Sequence, residues 1–470
     1  MLERIIEVSL KNKLLVILFF MAISVFGFKA YKEIPIDAFP DITPKQVVIY
    51  TESNGNSAED IERLITFPIE SALSGMNGVK KIISNSFFGL SYVSVFFEDD
   101  LDIYFLRQLV GERLNSVDIP EGWGKPELGP NTTGLGQVFW YELKDNTNSY
   151  NLQELREMQD YIIAPLFKSV SGVEEVIGWG GYEKQYSVVV DMKKLQNYNL
   201  TYDNIVQAIQ KSNQNAGGQY LEFNREQYII SAQGLYKSID DIKNTLIVSH
   251  NAQDISIKDV AEVKIGKTPR FGAISIDGKE SVIGMVLQRS GTNAAKVVEN
   301  LKAKIEATSS ALPKGVEVKT IYERSEITSK AVATMTNALL SGMILVAIVL
   351  FLFLFELRSA SIVILSLPLS ILMTFLIMKY LGITANLMTL SGLAIAVGMI
   401  VDGTIVIVEN SFRNLNSDKK NADKLKIVLE SSKEVAKPIT FAVLVIAAVF
   451  IPLLTLDGLA GKLYTPMALN

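Results

Sequence analysis

The 470-residue chain has no cysteine and one histidine, His250. Disulfide staples, thiolate metal sites and histidine-based triads are therefore largely excluded. His250 stands in the polar run SHNAQD, which reads as a surface turn rather than a ligand cluster. Positive charge is not in excess either. Lys and Arg number 45 against 50 Asp and Glu, a net charge of −5 with no strongly basic domain, which argues against nucleic acid as a partner. Gly129, Gly134 and Gly136 lack the flanking strand and helix, and the GK[ST] ending, of a phosphate loop, so they read as turns.

Apolar residues are plentiful, at 49%, and unevenly spread. A spanning helix needs about 20 mainly apolar residues, and five segments qualify: Leu14 to Phe28, Ala338 to Phe355, Ala360 to Met378, Leu387 to Val408, and Ile439 to Leu456. The first, with Lys13 and Lys29 able to snorkel, reaches from about residue 10 to 31. Phe28, Lys29 and Tyr31 follow it where a signal peptide would carry small residues, so it reads as an uncleaved anchor. Pro368 and Pro452 fall inside spans, as membrane helices tolerate. Between the last two spans lie Arg413, Lys419, Lys420, Lys424, Lys426, Lys433 and Lys437, which place the loop 409–437 in the cytoplasm. Residues 32–335 then lie outside. Ala422, Leu425, Leu429 and Val435 suggest a helix within that loop, either on the membrane surface or solvated.

The outer region contains a repeat. GVKKIISNSFFGLSYVSVFF (78–97) and GVEEVIGWGGYEKQYSVVVD (172–191) align without a gap, matching Gly78 to Gly172, Val79 to Val173, Ile83 to Ile177 and Tyr92 to Tyr186. Each follows an amphipathic helix pattern, SAEDIERLITFPIESAL or NLQELREMQDYIIAPLF. The expected fold is an α-helical membrane bundle of five spans plus an α+β domain of ferredoxin-like split βαβ subdomains. The second unit resumes late, at SVIGMVLQ, after an insertion over about 182–273 whose QYLEFNREQYIISAQG reads as a projecting hairpin. The acidic cluster Glu98, Asp99, Asp100 and Asp102 fits a helix amino terminus better than a cation site.

Asp402 is the candidate functional residue. It sits inside SGLAIAVGMIVDGTIVIVEN, where a charge costs about 2.5–3.5 kcal/mol. Burial disfavours the charged form, so the residue suits uptake and release of a proton; the bland alternative is an interhelical hydrogen bond. Gly398 and Gly403 are expected to let another helix approach closely. Glu409 lies two turns along the same face, as a solvated interface residue or as the proton's entry to Asp402.

These features resemble the RND superfamily of proton-driven efflux pumps. IPIDAFPDIT (34–43), FEDDLDIYFLRQLVGERL (97–114), PELGPNTTGLGQVFWYEL (126–143) and YERSEI (322–327) resemble its heavy-metal branch, as does a single aspartate followed by glycine, Asp402-Gly403. The resemblance is to the amino-terminal half of such a pump and covers the whole chain. It implies a first anchor at 1–31, a first porter subdomain at 32–134, a second at 135–181 and 274–332, a docking subdomain at 182–273, and spans two to five at 333–470. It further implies an inner-membrane transporter rather than an enzyme, exporting cations by proton antiport and needing no cofactor beyond cargo and protons. The implied partners are two more copies in a homotrimer, through a hairpin near 219–234, with a periplasmic adaptor and an outer-membrane channel.

Zinc, cobalt and cadmium exporters of this branch carry Asp-Phe-Gly where this chain has Ala396, Val397 and Gly398. The Ala-Ile-Ala-Val-Gly run and Met388 instead resemble copper(I) and silver(I) exporters. Thioethers suit soft monovalent metals, so Met388 and Met399 are candidate metal contacts, though methionine also packs apolar helices. Twelve spans are implied, so the relay's lysine and acidic partners and the periplasmic metal cleft are expected mainly in the other half. Export of hydrophobic compounds and a non-transporting half-subunit are the alternatives.

Overall fold

The computed structural model describes residues 2–250, 253–270, 272–309, 312–354, 357–417 and 423–469. Helix α1 (Leu2–Lys11) leads through Asn12 into α2 (Lys13–Glu33), the first apolar span. Strand β1 (Gln46–Glu52) then opens the outer domain, its alternating burial setting Val47 and Ile49 into a core.

Helix α3 joins Ala58–Ile61, a π-helical turn at Glu62–Thr66, and Phe67–Leu73. Ser57 caps it, its hydroxyl accepting from the Asp60 N–H at 3.2 Å. The π turn has a reason in the sequence. The core residues Ile61, Ile65, Ile69 and Leu73 recur every four positions. On an α-helix each such step drifts by about 40°, or roughly 120° over three; the wider turn returns them to one face. Strands β2 (Val79–Phe87) and β3 (Leu90–Phe97), helix α4 (Ile103–Leu114) and β4 (Glu127–Leu128) complete an antiparallel sheet of order β2-β3-β1-β4.

The second unit repeats the plan. Strand β5 (Gln137–Asp145) precedes helix α5, formed by Leu152–Met158, a π-helical Gln159–Ile163 and Ala164–Lys168, with Leu155, Gln159, Ile163 and Phe167 buried at the same spacing of four. Strand β6 (Val173–Gly180) follows. The chain then leaves the sheet at Gly180 and Gly181, both at positive φ (79° and 68°), which glycine adopts without strain.

The excursion forms its own small module around Leu195, Ile205, Ile257 and Val260. It contains β7 (Lys184–Val190), α6 (Met192–Asn197), α7 (Tyr202–Ser212), the hairpin β8 (Ala216–Phe223) and β9 (Glu226–Ala232), α8 (Ile239–Lys243), β10 (Leu246–His250), β11 (Gln253–Ser256), α9 (Ile257–Val260) and β12 (Ala261–Lys267). His250, expected in a turn, closes β10.

After β13 (Ile274–Ile276), strand β14 (Lys279–Gln288), helix α10 (Ala294–Thr308) and β15 (Val316–Glu323) finish the unit, with order β6-β14-β5-β15. Strand β14 thus stands where β3 stands in the first unit. The gapless match of Tyr92 to Tyr186 does not survive: Tyr186 lies on β7, opposite Ile265 of β12, in a separate two-stranded sheet. The strand that completes the unit is instead β14, which contains the SVIGMVLQ segment at which the unit was expected to resume.

The remaining spans are α11 (Arg324–Leu354), α12 (Leu357–Leu381), α13 (Leu387–Ser417) and α14 (Lys424–Leu454), followed by α15 (Gly458–Leu469). Pro368 and Pro452 lie inside α12 and α14 as expected. The loop expected over 409–437 is corrected: α13 runs on to Ser417, and α14 starts at Lys424, where Asp423 accepts from the Leu425 N–H at 3.1 Å. Leu425, Leu429 and Val435 belong to the same continuous helix as the span, so they form no separate surface helix among the described residues; Lys419, Lys420 and Ala422 lie outside the described residues. Within the bundle Val363, Leu367, Val397 and Val401 pack together, while Leu14, Phe441, Val449 and other large apolar side chains point outward, as a lipid-solvated bundle requires.

Candidate functional site: a carboxylate at mid-span

Helix α13 starts at a built cap. Asn386, fully buried, accepts from the Met388 and Thr389 N–H groups at 3.0 and 3.1 Å, and the Thr389 hydroxyl accepts from the Asn386 N–H at 2.8 Å. Just before it the chain pairs in parallel with the segment that leaves α2. The Asp37 N–H donates to the Ala385 carbonyl (2.9 Å), Ala385 to Pro35 (3.0 Å) and Leu387 to Ala38 (3.2 Å).

Asp402 is the central residue of α13, fifteen positions from either end. Val397 and Val401 face the bundle core, whereas Gly398, Asp402 and Glu409 share an exposed face about 100° round the helix. Seven residues, about 10 Å of rise, separate Asp402 from Glu409. Among the described residues no hydrogen bond or ion pair reaches either carboxylate.

The two glycines part company. A Cβ on Gly403 would lie 3.2 Å from Ile439 Cγ2 of α14, so this glycine does admit a close neighbour. A Cβ on Gly398 would meet nothing within 4 Å, so among the described residues no helix lies against it; it shares the outward face with Asp402. Two glycines not singled out from sequence make closer approaches between helices than Gly403 does. A Cβ at Gly27 would fall 2.5 Å from the Leu372 carbonyl oxygen of α12, and one at Gly392 2.5 Å from that of Met467 on α15.

Met388 and Met399 are eleven residues apart on one helix, about 16 Å, and form no common centre. Met399 lines an apolar cavity of about 300 Å³ with Phe450 of α14 and Met467 of α15. No cluster of three or more His, Cys, Asp or Glu placed to hold a metal occurs among the described residues.

Sequence reading also missed a polar clamp at the far end of α13. The buried Asn410 amide donates to the Ser431 carbonyl (3.0 Å) and to Glu434 (3.1 Å), Arg413 donates to Asn410 Oδ1 (3.1 Å), and Asn414 donates to Ser431 Oγ (2.9 Å). The pattern of three polar residues at i, i+3 and i+4 was the available signal, hidden within what looked like a basic loop. On the outer side, Lys462 of α15 reaches Asp99 at 2.5 Å and donates to the Thr43 carbonyl at 2.8 Å. Asp99 therefore leaves the acidic cluster for an ion pair, while Asp102 caps α4 as expected, accepting from Phe105 N–H at 2.9 Å.

Five apolar helices beneath a two-unit α+β domain, with one carboxylate at the middle of a span, define a polytopic membrane protein with a large extramembrane part. The chain belongs to the AcrB/AcrD/AcrF family, whose profile matches residues 5–470. It is 41% identical over 483 residues to protein HelA of Legionella pneumophila, covering 100% of this chain and 46% of that protein. To the cobalt-zinc-cadmium resistance protein CzcA of Cupriavidus metallidurans it is 37% identical, over 100% of this chain and 45% of the relative. To the cation efflux system protein CusA of Escherichia coli the values are 36%, 100% and 46%. The crystal structure of a heavy metal efflux pump matches with a TM-score of 0.88 at 33% identity, over 98% of this chain and 46% of that one. The chain thus spans about half the length of the curated relatives it matches.

Proposed function

We propose that the chain forms one half of a proton-driven exporter of heavy-metal cations in a bacterial inner membrane. The observation that carries the proton-coupling role is Asp402, central in an apolar span and facing away from the helices described. A carboxylate held there is costly unless a proton or a cation neutralises it. Its outward face is then where the helices of a second half dock, bringing the relay's partners. Glu409, on the same face toward the basic end, serves as the cytoplasmic approach for the proton.

The two sheet units act as porter subdomains and the inserted module as a docking element. Its hairpin β8–β9 is exposed at every residue, with Tyr220, Leu221, Phe223 and Ile229 outward. Such an arm gains burial by reaching a neighbouring copy in a homotrimer, and an adaptor and an outer-membrane channel complete the path. Copper(I) or silver(I) is the cargo favoured by Met388 and by the missing acid at Ala396. Because Met388 and Met399 are separated, each acts as a single thioether contact along a route.

The test is metal resistance conferred by the complete transporter. Asp402→Asn should lower resistance to that of cells lacking the pump while trimers still form in the membrane. Resistance retained by this variant removes the relay role.

A further inference from the structure

Helix α1 is too short to cross a bilayer, rising about 15 Å over its ten residues. Asn12 (φ −110°, ψ 56°) breaks the helix before α2, so α1 changes direction at the start of the span. Its charged side turns to the basic beginning of α14. Glu7 accepts from Lys11 at 2.8 Å and from Lys433 at 3.3 Å, and Glu3 lies 3.4 Å from Lys437. Between the two helices runs a groove of about 670 Å³, lined by Arg4, Lys11, Lys433 and Lys437 together with Glu3, Glu7 and Val8.

We propose that this groove binds the phosphodiester headgroup of an anionic phospholipid. Four cations face two carboxylates, leaving two positive charges without a counterion. Arg4 has no acidic partner among the described residues. A guanidinium beside ammonium groups is the donor set that a phosphate oxygen pair fits. The groove also lies at headgroup depth: α2 turns apolar directly after Lys13, and α14 does so after Pro438. Leu2, Ile5 and Val8 are exposed on α1 beside the groove and offer the acyl chains an apolar surface. Basic pockets between helices on the cytoplasmic side recognise such lipids, and the lysines of α14 put the groove on that side. A bound lipid would bridge α1 to α14, the helix that packs against Gly403. The site does not depend on what the protein transports.

The full-length transporter, delipidated in a neutral detergent, is to be analysed by native mass spectrometry with equal mole fractions of dioleoyl phosphatidylglycerol and dioleoyl phosphatidylcholine. Phosphatidylglycerol should be retained about tenfold more strongly, and Arg4→Gln with Lys437→Gln should reduce that preference about tenfold. Arg4→Gln alone, which breaks no hydrogen bond or ion pair among the described residues, should reduce it about threefold, and covers the case in which the double variant fails to fold. Lys193→Gln on the outer module should change nothing. Equal retention of the two lipids, or undiminished preference in Arg4→Gln, overturns the proposal. So does displacement of the lipid by millimolar inorganic phosphate, which would mark a free-anion site.

Discussion

Arg324 and Asp37, 287 positions apart, form a forked ion pair in which Nε and Nη2 of the arginine donate to one carboxylate oxygen at 3.2 and 2.7 Å. The third nitrogen of the guanidinium donates to the Leu135 carbonyl. The pair gathers four elements at one point. Arg324 starts α11, Asp37 follows α2 and pairs with the residues that open α13, and Leu135 leads into β5. The start of α13, the helix of Asp402, is thereby tied to the outer domain through a joint a few ångströms wide.

Replacing Arg324 with Ala should therefore cost roughly 2–4 kcal/mol, since it strands the partly buried Asp37 and frees the Leu135 carbonyl. Arg324→Lys keeps the charge but loses the fork and should cost about half as much. Thermal unfolding of the purified protein checks both, and equal melting temperatures for Ala and wild type would contradict the joint.

The two glycines beside Asp402 should respond differently to bulk. Gly403→Leu drives a side chain into Ile439 and should destabilise by about 1–3 kcal/mol. In the described chain Gly398→Leu meets open space and should leave stability within about 0.5 kcal/mol. If the outward face receives a second half, Gly398→Leu will nevertheless impair transport in the complete protein, and comparing melting with resistance separates these effects.

Much of the architecture was legible before the structure. Span positions followed from apolar runs, and the repeat from Gly78 and Gly172, whose positive φ (81° and 90°) makes them hard to replace. Helix ends near the membrane surface were not legible, because charge marks where a span leaves lipid but not where a helix stops; Lys424–Lys437 remain helical through their charges. Asp402 was conspicuous as an acid among apolar residues. Gly27, Lys462 and the Arg324–Asp37 pair were not, since each acts through a partner distant in sequence.

Asp99 gives the outer joint a pH dependence. Burial raises its pKa, but Lys462 and Lys80 outweigh this and leave it below the ordinary aspartate range. A depressed carboxyl contributes stability above its unfolded pKa of about 4 and loses it as pH falls through the folded value. Melting temperature should thus drop on acidification below about pH 4, and Asp99→Asn should flatten that part of the profile. An unchanged slope in the variant would show the pair to be irrelevant.

Asn410→Leu should loosen α13 from α14 by about 1–3 kcal/mol, because Ser431 and Glu434 lose a buried donor. Hydrogen exchange of the amides in 405–417 should rise relative to those in 387–397. A uniform change along the helix would instead indicate global destabilisation.

The π turn in α3 carries a consequence for how this domain tolerates lost codons. A π turn amounts to one surplus residue within an α-helix, so the helix holds slack at 62–66. Deleting Arg63, which is exposed, would bring Ile61, Ile65, Ile69 and Leu73 to spacings of three, four and four, an ordinary α-helical face. One reading-frame-preserving loss is thus absorbed at Arg63, giving the helix an expansion joint in its own length.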